Sequence, residues 1–305
     1  MDIVQPFLEH VKGDTWCIVT GYSRIPLFKL DGDRAVLIDS GIATTDREGL
    51  FSLLKQENLT VAAVLTSHSH IDHIGNHGIL QKEQGAKLYM TPFDAAVCEN
   101  PMYSKPFFYG MSYQKIIQHA AMFLCHADYF IRPEHRSVDI DGARFEVLRL
   151  PGHTAEHLGF VTPDSVAYLG DALLSDQVLE SLRIPYIISC DLDIDTKLRI
   201  GKMKYDYYIA AHSGVYKDVS GLAKRNIDNL LSKAEMICSL VDHYMSMEQI
   251  AAKVIVKMGI KADDIYKIRS SVQDIQVYVE YLIVTGRLVQ RANNGIIEYI
   301  RTDRA

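Results

Sequence analysis

The order of apolar and polar positions predicts strands and helices that alternate along the first two thirds of the chain. Three short runs near the beginning are rich in β-branched or aromatic residues, and glycine and aspartate separate them, which is typical of a β-meander. These runs cover residues 15–20, 26–30 and 35–38. Leucine and phenylalanine then repeat with helical spacing over residues 45–57, and we expect Thr44 or Thr45 to cap this helix.

A second set of strands is predicted because apolar runs end in polar turns. The run 61–65 predicts a buried strand, and residues 78–83 and 87–90 predict a helix and a short strand. Later strands are predicted at 145–150, 165–169 and 207–211. Each later strand runs into a tight turn that contains glycine and a residue able to bind a metal. These turns are Pro151-Gly152-His153-Thr154, Gly170-Asp171 and His212-Ser213-Gly214.

Between residues 93 and 135 the chain becomes rich in aromatic residues and methionine. We expect a helical insertion whose aromatic side chains pack on the body of the protein. The alternative is a lid that forms an apolar wall for a substrate. The side chains concerned are Met102, Tyr103, Phe107, Phe108, Tyr109, Met111, Tyr113, Met122, Phe123, Tyr129 and Phe130.

The last third of the chain has a helical pattern. Helices are predicted at 222–244, 247–258 and 272–285, followed by a hairpin that turns at Asn293-Asn294-Gly295. Two helices and a terminal hairpin resemble a winged-helix module. We therefore predict a catalytic domain at 1–220, and a connector helix with a small winged-helix-like domain at 221–305.

Composition narrows the class of protein. The 305 residues are 48% hydrophobic and 23% charged, which is ordinary for a globular protein. The formal net charge of -6 gives no general attraction to nucleic acid or to an anionic membrane. The N-terminus lacks the basic and apolar regions of a secretory signal, and no apolar run has membrane-spanning length. The five cysteines form no CxxC pair, so a reduced, cytoplasmic protein is expected.

The segment Ser67–Gly75, SHSHIDHIG, contains four groups that can bind a metal and follows directly on the predicted strand 61–65. With the three later turns, the chain offers seven candidate ligands. They are His68, His70, Asp72, His73, His153, Asp171 and His212. Seven donors are too many for one tetrahedral ion but suit two ions that share a carboxylate and a water. Nitrogen and oxygen donors without thiolate fit two divalent ions, zinc first, with iron or manganese as alternatives.

The motifs HSHIDH, PGHT, GDA and AHSG, in this order between Ile18 and Gly214, resemble those of the metallo-β-lactamase superfamily. The resemblance implies an α/β fold, an αββα sandwich. It implies one metal bound by His68, His70 and His153, and a second metal bound by Asp72, His73 and His212. It further implies that Asp171 bridges the two metals. Asp39 would support the site by hydrogen bonding, and His157 would have a packing or supporting role.

The resemblance also narrows the branch of the superfamily. An aspartate at the Asp171 position argues against a true class B β-lactamase, and His70 argues against the flavo-diiron branch, which has glutamate there. The chain then resembles glyoxalase II, lactonases, phosphodiesterases and nucleases. We predict a metal-dependent hydrolase whose metal-bridging hydroxide attacks a small ester, thioester, lactone or phosphodiester. Asp72 is expected to orient that hydroxide or to shuttle its proton.

Two alternatives stay open at this point. One is a mononuclear iron sulfur (persulfide) dioxygenase, because that branch has similar motifs. The other is a nuclease that binds nucleic acid through the C-terminal module. The predicted recognition helix, 271–285, contains Asp274 and Glu280 but no lysine or arginine, so it is poorly suited to contact phosphates. We expect the module instead to pack on the catalytic domain, to close a pocket for a small-molecule substrate, or to form a homodimer.

Overall fold

The computed structural model describes residues 5–104, 111–120 and 124–305, and within them two β-sheets lie face to face. The first sheet consists of β1 (Phe7–Lys12), β2 (Thr15–Val19), β3 (Arg24–Lys29), β4 (Arg34–Ile38), β5 (Thr60–Leu65), β6 (Lys87–Met90) and β7 (Tyr129–Phe130). These strands lie side by side in chain order. β1 to β4 are antiparallel, which confirms the predicted meander, and β4 to β7 are parallel.

The second sheet is formed by strands from the middle of the chain. They are β8 (Ser137–Ile140), β9 (Ala143–Arg149), β10 (Leu158–Val161), β11 (Val166–Tyr168), β12 (Tyr207–Ala210) and β13 (Gly214–Tyr216). Their spatial order is β13-β12-β11-β10-β9-β8, and only β11 and β12 are parallel among these described strands. The parallel pair brings the ends of β11 and β12 to the same edge of the sheet.

Helices cover the outer faces of both sheets. Those near the first sheet are α1 (Arg47–Gln56), α2 (Ile71–Ile74), α3 (His77–Gln84), α4 (Pro92–Glu99) and α5 (Tyr113–Ala120), with a 3-10 turn at Pro101–Ser104. The second sheet is followed by α6 (Asp176–Ser181), α7 (Cys190–Ile200) and α8 (Ser220–Leu240). None of the helices in the described ranges is both long enough and apolar enough to cross a membrane.

Three apolar layers hold this arrangement together. Alternate side chains of the two sheets, such as Leu65 and Phe145, meet in a buried core between them. A second core lies between the first sheet and α1, α3 and α4, and a third between the second sheet, α7 and the start of α8. Helix, sheet, sheet, helix is the αββα sandwich that the motifs implied, so the predicted fold class is confirmed.

The C-terminal segment contains α9 (Met247–Met258), α10 (Ile265–Val284), the hairpin β14 (Leu288–Asn293) and β15 (Ile296–Arg301), and a 3-10 turn at Thr302–Arg304. A β-bridge joins Met245 to Tyr299. The apolar core of this segment includes Ile187 and Cys190, which belong to the catalytic part, so the two parts share a buried interface. α8 contributes side chains to this core and to the core between the second sheet and α7, as expected for a connector helix. The domain division at residue 220 and the winged-helix comparison stay predictions.

Some predicted boundaries were wrong. Thr44 and Thr45 do not cap α1; the helix follows Asp46, whose carboxylate accepts a hydrogen bond from the backbone N–H of Ile42 at 2.9 Å. α10 begins at Ile265 and not at residue 272, because Asp264 caps it and accepts from the N–H of Lys267 at 2.9 Å. α8 ends at Leu240, four residues before the predicted end.

The aromatic region between 93 and 135 is described only in part. Phe107, Phe108, Tyr109, Met122 and Phe123 lie outside the described residues, so the lid stays a prediction. Among the described aromatics, Tyr129 stacks on Tyr89 with 4.5 Å between ring centroids. Tyr103 and Tyr113 are 56% and 50% exposed, so they do not show the packing that we expected.

Candidate metal centre

The seven candidate ligands all lie just beyond the carboxyl ends of strands. β5 leads to the segment with His68, His70, Asp72 and His73, while β9, β11 and β12 lead to His153, Asp171 and His212. Backbone hydrogen bonds join the two sheets here: the N–H of Leu158 donates to Ser67 at 2.8 Å, and that of Arg24 to Ala211 at 2.7 Å. The structure therefore brings together, in one place, every residue that the sequence nominated.

Three histidines form the first group. Nδ1 of His70 lies 3.0 Å from Nε2 of His68 and 3.0 Å from Nε2 of His153. His70 can turn back toward His68 because it occupies the extended position directly before α2. His153 follows Gly152, whose φ of 140° is strained for any residue with a side chain.

Two histidines and a carboxylate form the second group. Nε2 of His212 lies 3.2 Å from Oδ2 of Asp72, and Nε2 of His73 lies 3.9 Å from the same oxygen. Asp72 and His73 stand in α2, a helix of a single turn, so adjacent residues there project toward His212. Asp72 is the most exposed of the three, at 22% of its side chain.

Asp171 lies between the two groups. Its Oδ2 is 3.4 Å from Nε2 of His153 in the first group. Its Oδ1 is 3.4 Å from Nε2 of His73 and 3.3 Å from Nε2 of His212 in the second group. The carboxylate of Asp171 therefore presents one oxygen to each group. The motif resemblance implied this arrangement for a bridging residue.

Asp39 supports the second group through the ring nitrogen of His73 that faces away from the other candidate ligands. Its carboxylate contacts Nδ1 of His73 at 2.8 Å and accepts hydrogen bonds from the N–H and hydroxyl of Ser67 at 2.7 and 2.6 Å. The hydroxyl of Tyr168 donates to it at 2.7 Å from the second sheet. Asp39 has a left-handed backbone with φ of 63°, which aspartate tolerates better than most residues. The predicted supporting role thus corresponds to a fully buried polar network.

Three other histidines, His68, His153 and His212, are oriented in a similar way, each through the ring nitrogen that faces away from its group. Such contacts fix the tautomer and the ring plane of a metal-binding histidine. They join Nδ1 of His68 to the hydroxyl of Ser67 at 3.0 Å, Nδ1 of His153 to the carbonyl of Tyr186 at 3.0 Å, and Nδ1 of His212 to the carbonyl of Tyr22 at 3.2 Å.

Two further buried side chains fix the backbone of the site. Nε2 of His157 accepts a hydrogen bond from the N–H of Asp171 at 3.2 Å, so His157 has a supporting role and is not part of either group. Oδ1 of Asp94 accepts from the N–H of Ser69 at 2.9 Å, between His68 and His70. Burial raises the pKa of Asp94 to about 7, although hydrogen bonds from Thr91 and Ser69 act against this.

The pKa values of the histidines are shifted in opposite directions in the two groups. Burial lowers the pKa of His70 to about 3 and that of His153 to about 4, so these rings are neutral and can donate a lone pair. Burial would also lower the pKa of His73, but Asp171, Asp72 and Asp39 together raise it well above its ordinary value. The second group therefore attracts a positive charge, which a divalent cation can provide in place of a proton.

Unpartnered polar atoms show whether metal ions fit this site. Nε2 of His73, Nε2 of His212 and Oδ1 of Asp171 are buried and have no hydrogen-bond partner among the described residues. Such atoms are costly in a protein interior unless something binds them. Within each group, the candidate ligand atoms lie no more than 4.8 Å apart. The donor set therefore fits two divalent ions that share the carboxylate of Asp171.

Residues 27–212 of the chain match the family model described as the metallo-beta-lactamase superfamily. The chain belongs to this superfamily. A hydroxyacylglutathione hydrolase, GloC, of Haemophilus influenzae is 27% identical over 144 residues, which is 47% of this chain and 63% of that protein. A hydroxyacylglutathione hydrolase of Chromohalobacter salexigens is 26% identical over 145 residues, covering 47% of this chain and 44% of that protein. The chain thus matches only about half of the length of these curated relatives.

Two solved structures resemble nearly the whole chain. A metallo-beta-lactamase family protein of Thermus thermophilus has a TM-score of 0.71 at 17% identity and covers 97% of this chain and 98% of its own. A beta-lactamase domain protein of Burkholderia ambifaria has a TM-score of 0.72 at 18% identity. The match covers 96% of this chain and 94% of that protein. These similarities concern the fold alone, and they include the C-terminal segment as well as the superfamily domain.

Sequence reasoning missed several supporting residues. Tyr168 and Asp94 act only through their partners, and they lie outside the motifs. Ser67 opens the segment Ser67–Gly75, but its hydrogen bonds to Asp39 were not predicted. Tyr186 was missed although its ring lies edge-on to His70 and His153, with centroids 5.2 and 5.5 Å away. Its segment, 182–189, follows α6 without regular secondary structure, so periodicity gave no signal there.

Proposed function

We propose that this protein is a hydrolase that depends on two divalent metal ions, zinc first among them. The position of Asp171 carries the proposal: Oδ2 lies 3.4 Å from a ring nitrogen of the first group, and Oδ1 lies 3.3 Å from one of the second. A single-ion site would not need this second oxygen, nor the unpartnered nitrogens of His73 and His212. The geometry therefore favours the dinuclear alternative over the mononuclear iron dioxygenase.

Under this proposal His68, His70 and His153 would hold one ion and Asp72, His73 and His212 the other, and Asp171 would serve both. Two such ions supply Lewis acidity, which lowers the pKa of water from about 15.7 to near 7 and polarises the bond to be cleaved. Asp72 would accept a hydrogen bond from the attacking water or take its proton. Its partial exposure, 22%, distinguishes it from Asp171, at 9%, and makes it the more accessible of the two carboxylates.

We propose a thioester as the substrate class. One observation supports this choice: the curated relatives are named hydroxyacylglutathione hydrolases. A small cavity of about 20 Å³ adjoins the candidate metal centre, and it is lined by His153 and Asp171 together with Tyr186, Leu230 and Tyr278. Leu230 belongs to α8 and Tyr278 to α10, so the C-terminal segment reaches the immediate surroundings of the candidate metal centre.

Metal analysis and a substrate panel test the proposal together. We expect about two zinc ions per chain, and hydrolysis of thioesters in preference to lactones, aryl esters, phosphodiesters and short RNAs. One iron per chain, with oxygen uptake on a persulfide, would instead establish the dioxygenase.

The control for the panel is Asp171→Ala, which removes the shared carboxylate. We expect it to lose metal and to reduce turnover by about a thousandfold or more, since a bound ion is worth several kcal/mol to the transition state. Asp228→Ala, an exposed aspartate in α8 that pairs with Lys224, is the matched variant and should retain full activity. Turnover in Asp171→Ala that stays close to the parent level, in a preparation shown to be free of contaminating hydrolases, would contradict the role of Asp171.

A further inference from the structure

A basic groove lies at the edge of the second sheet, and none of its lining residues belongs to the candidate metal centre. Its volume is about 450 Å³, and four arginines line it: Arg136, Arg144, Arg149 and Arg199. Arg144 and Arg149 stand near the two ends of β9, Arg136 precedes β8, and Arg199 is in the last turn of α7. Four arginines in one groove are unexpected in a chain whose net charge is -6.

Two of these arginines are held in fixed positions. Arg199 donates from Nη1 to the carbonyl of Arg149 at 3.0 Å, from Nη2 to the hydroxyl of Thr196 at 2.9 Å, and from Nε to Asp195 at 2.9 Å. Arg149 in turn donates from Nη2 to the carbonyl of Arg132. A guanidinium held in this way loses little further entropy when it binds an anion, so the site is preorganised.

The positive charge of the groove is not fully compensated. The side chains of Arg136 and Arg144 make no hydrogen bond or ion pair with any described residue, and Nε of Arg149 is buried without a partner in the same ranges. Burial lowers the pKa of Arg149, and nearby Glu156 and Glu134 do not offset the combined effect of burial and Arg136. Arg149 is partly buried, and only its buried Nε lacks a partner among the described residues, so an anion that binds between Arg149 and a second arginine is stabilised by both guanidinium groups.

The floor of the groove is apolar. Leu148 and Met203 line it beside the arginines, and Leu148 is only 8% exposed. Glu146 also lines the groove, but its carboxylate accepts a hydrogen bond from the hydroxyl of Tyr205 at 3.0 Å. An apolar floor with a rim of guanidinium groups suits a ligand with a flat, apolar part and an anionic part.

We propose that this groove binds a ligand in which two or more phosphate groups are attached to an aromatic body, as in a nucleoside di- or triphosphate. Arginine is the side chain best suited to phosphate, since its planar fork binds two oxygens at once. The groove volume falls within the range of about 300–1,000 Å³ that is usual for small-molecule sites. This site is independent of the proposed hydrolase activity, because it shares no residue with the metal groups.

Isothermal titration of the full chain with ATP, ADP, pyrophosphate and adenosine tests the proposal. We expect ATP and ADP to bind, pyrophosphate to bind more weakly, and adenosine not to bind at about 1 mM. In Arg136→Ala/Arg144→Ala the Kd for ATP should rise about tenfold or more, as expected for the loss of charge-assisted hydrogen bonds. Glu146→Gln should lower it, because that change removes a carboxylate from the groove.

The matched control is Lys261→Ala/Arg269→Ala, which removes the same charge from exposed positions in the C-terminal segment and should change the Kd by no more than about twofold. An equal loss of affinity in the two double variants would overturn the proposal. So would ATP binding that disappears in Asp171→Ala, since the metal centre would then be the binding site. Equal affinity for ATP and pyrophosphate would overturn the aromatic part of the assignment.

Discussion

Nδ1 of His73 lies 2.8 Å from Oδ2 of Asp39, and both side chains are only 2% exposed. Because the pair is removed from water, the contact determines which nitrogen of His73 faces the candidate metal centre. Nε2 is thereby directed toward Oδ1 of Asp171, 3.4 Å away. Burial opposes ionisation of Asp39, but His73 and the hydrogen bonds from Ser67 keep the pKa of Asp39 below its ordinary value. The orientation of His73 therefore depends on its contact with the negatively charged carboxylate of Asp39.

Replacement of Asp39 by asparagine should weaken metal binding by the second group. Loss of a carboxylate behind a metal-binding histidine typically reduces metal affinity by about 10–100-fold. The amide NH2 would also replace Oδ2, which accepts from the hydroxyls of Ser67 and Tyr168, and the buried donors left facing each other add about 1–3 kcal/mol of destabilisation. Zinc titration and thermal unfolding measure both effects. Asp33→Asn, an exposed aspartate in the preceding turn, is the control. Unchanged zinc affinity in Asp39→Asn would contradict the supporting role.

Replacement of Asp72 by asparagine tests its proposed part in the reaction. The amide oxygen can still approach an ion, but the side chain can no longer take a proton. We expect at least one ion to be retained and turnover to fall about 100-fold or more, within the range usual for loss of general base assistance. Metal content and turnover number should be measured on the same sample. An Asp72→Asn protein with both ions and full turnover would exclude this role.

Most of the fold could be predicted from the sequence because its strands are short, apolar and separated by glycine and aspartate. The prediction of α9 matched its observed bounds, since Ser246 and Gln249 form a capping box that marks its start. α7 was missed although Ser189 caps it, acidic residues occupy its first turn, and Lys197 and Arg199 occupy its last. The helical periodicity of its apolar residues is weak, because two of its buried positions are occupied by the ion pair Asp193–Lys197.

The candidate metal centre was predicted more completely than its surroundings. His68 and His153 stand in motifs where several polar residues follow a predicted strand. Such a pattern can be recognised in the amino-acid sequence alone. Tyr168 is different, because it is a core residue of β11 whose hydroxyl reaches Asp39 across the two sheets. Contacts between sheets depend on packing and not on local spacing. The arginine groove escaped prediction for the same reason, as its residues come from positions 136 to 203.

Replacement of Gly152 by alanine should displace His153. A Cβ at Gly152 would lie 2.5 Å from Cα of Asp193, a backbone atom that cannot move away easily, and φ is 140°. We expect a loss of about 2 kcal/mol or more in unfolding free energy, together with lower zinc content. Gly32→Ala is the matched control, since its φ of 75° is also strained but nothing lies within 4 Å. If both variants lose the same stability and keep their zinc, the close contact with Asp193 has no role in positioning His153.

Replacement of Asp274 by asparagine should change how stability depends on pH. Burial raises the pKa of Asp274 in α10 to about 7, whereas an aspartate in an unfolded chain titrates near about 3.9. Between these two values the native state binds a proton that the unfolded state does not. The contribution of Asp274 to the free energy of unfolding is therefore fully present below about pH 4 and is lost as the pH rises through about 7.

Asparagine cannot ionise, so the stability of Asp274→Asn should lack this dependence on pH. Relative to the parent protein, the variant should gain about 1 kcal/mol or more between about pH 5 and about pH 8. Urea unfolding at both pH values measures this difference, and Asp31→Asn, at an exposed turn, should show none. The phenol of Tyr186, whose pKa burial and Asp274 raise to about 12, stays neutral throughout this range and adds no slope of its own. A difference between Asp274→Asn and the parent that does not vary with pH would show that Asp274 is already ionised in the native protein at the lower pH.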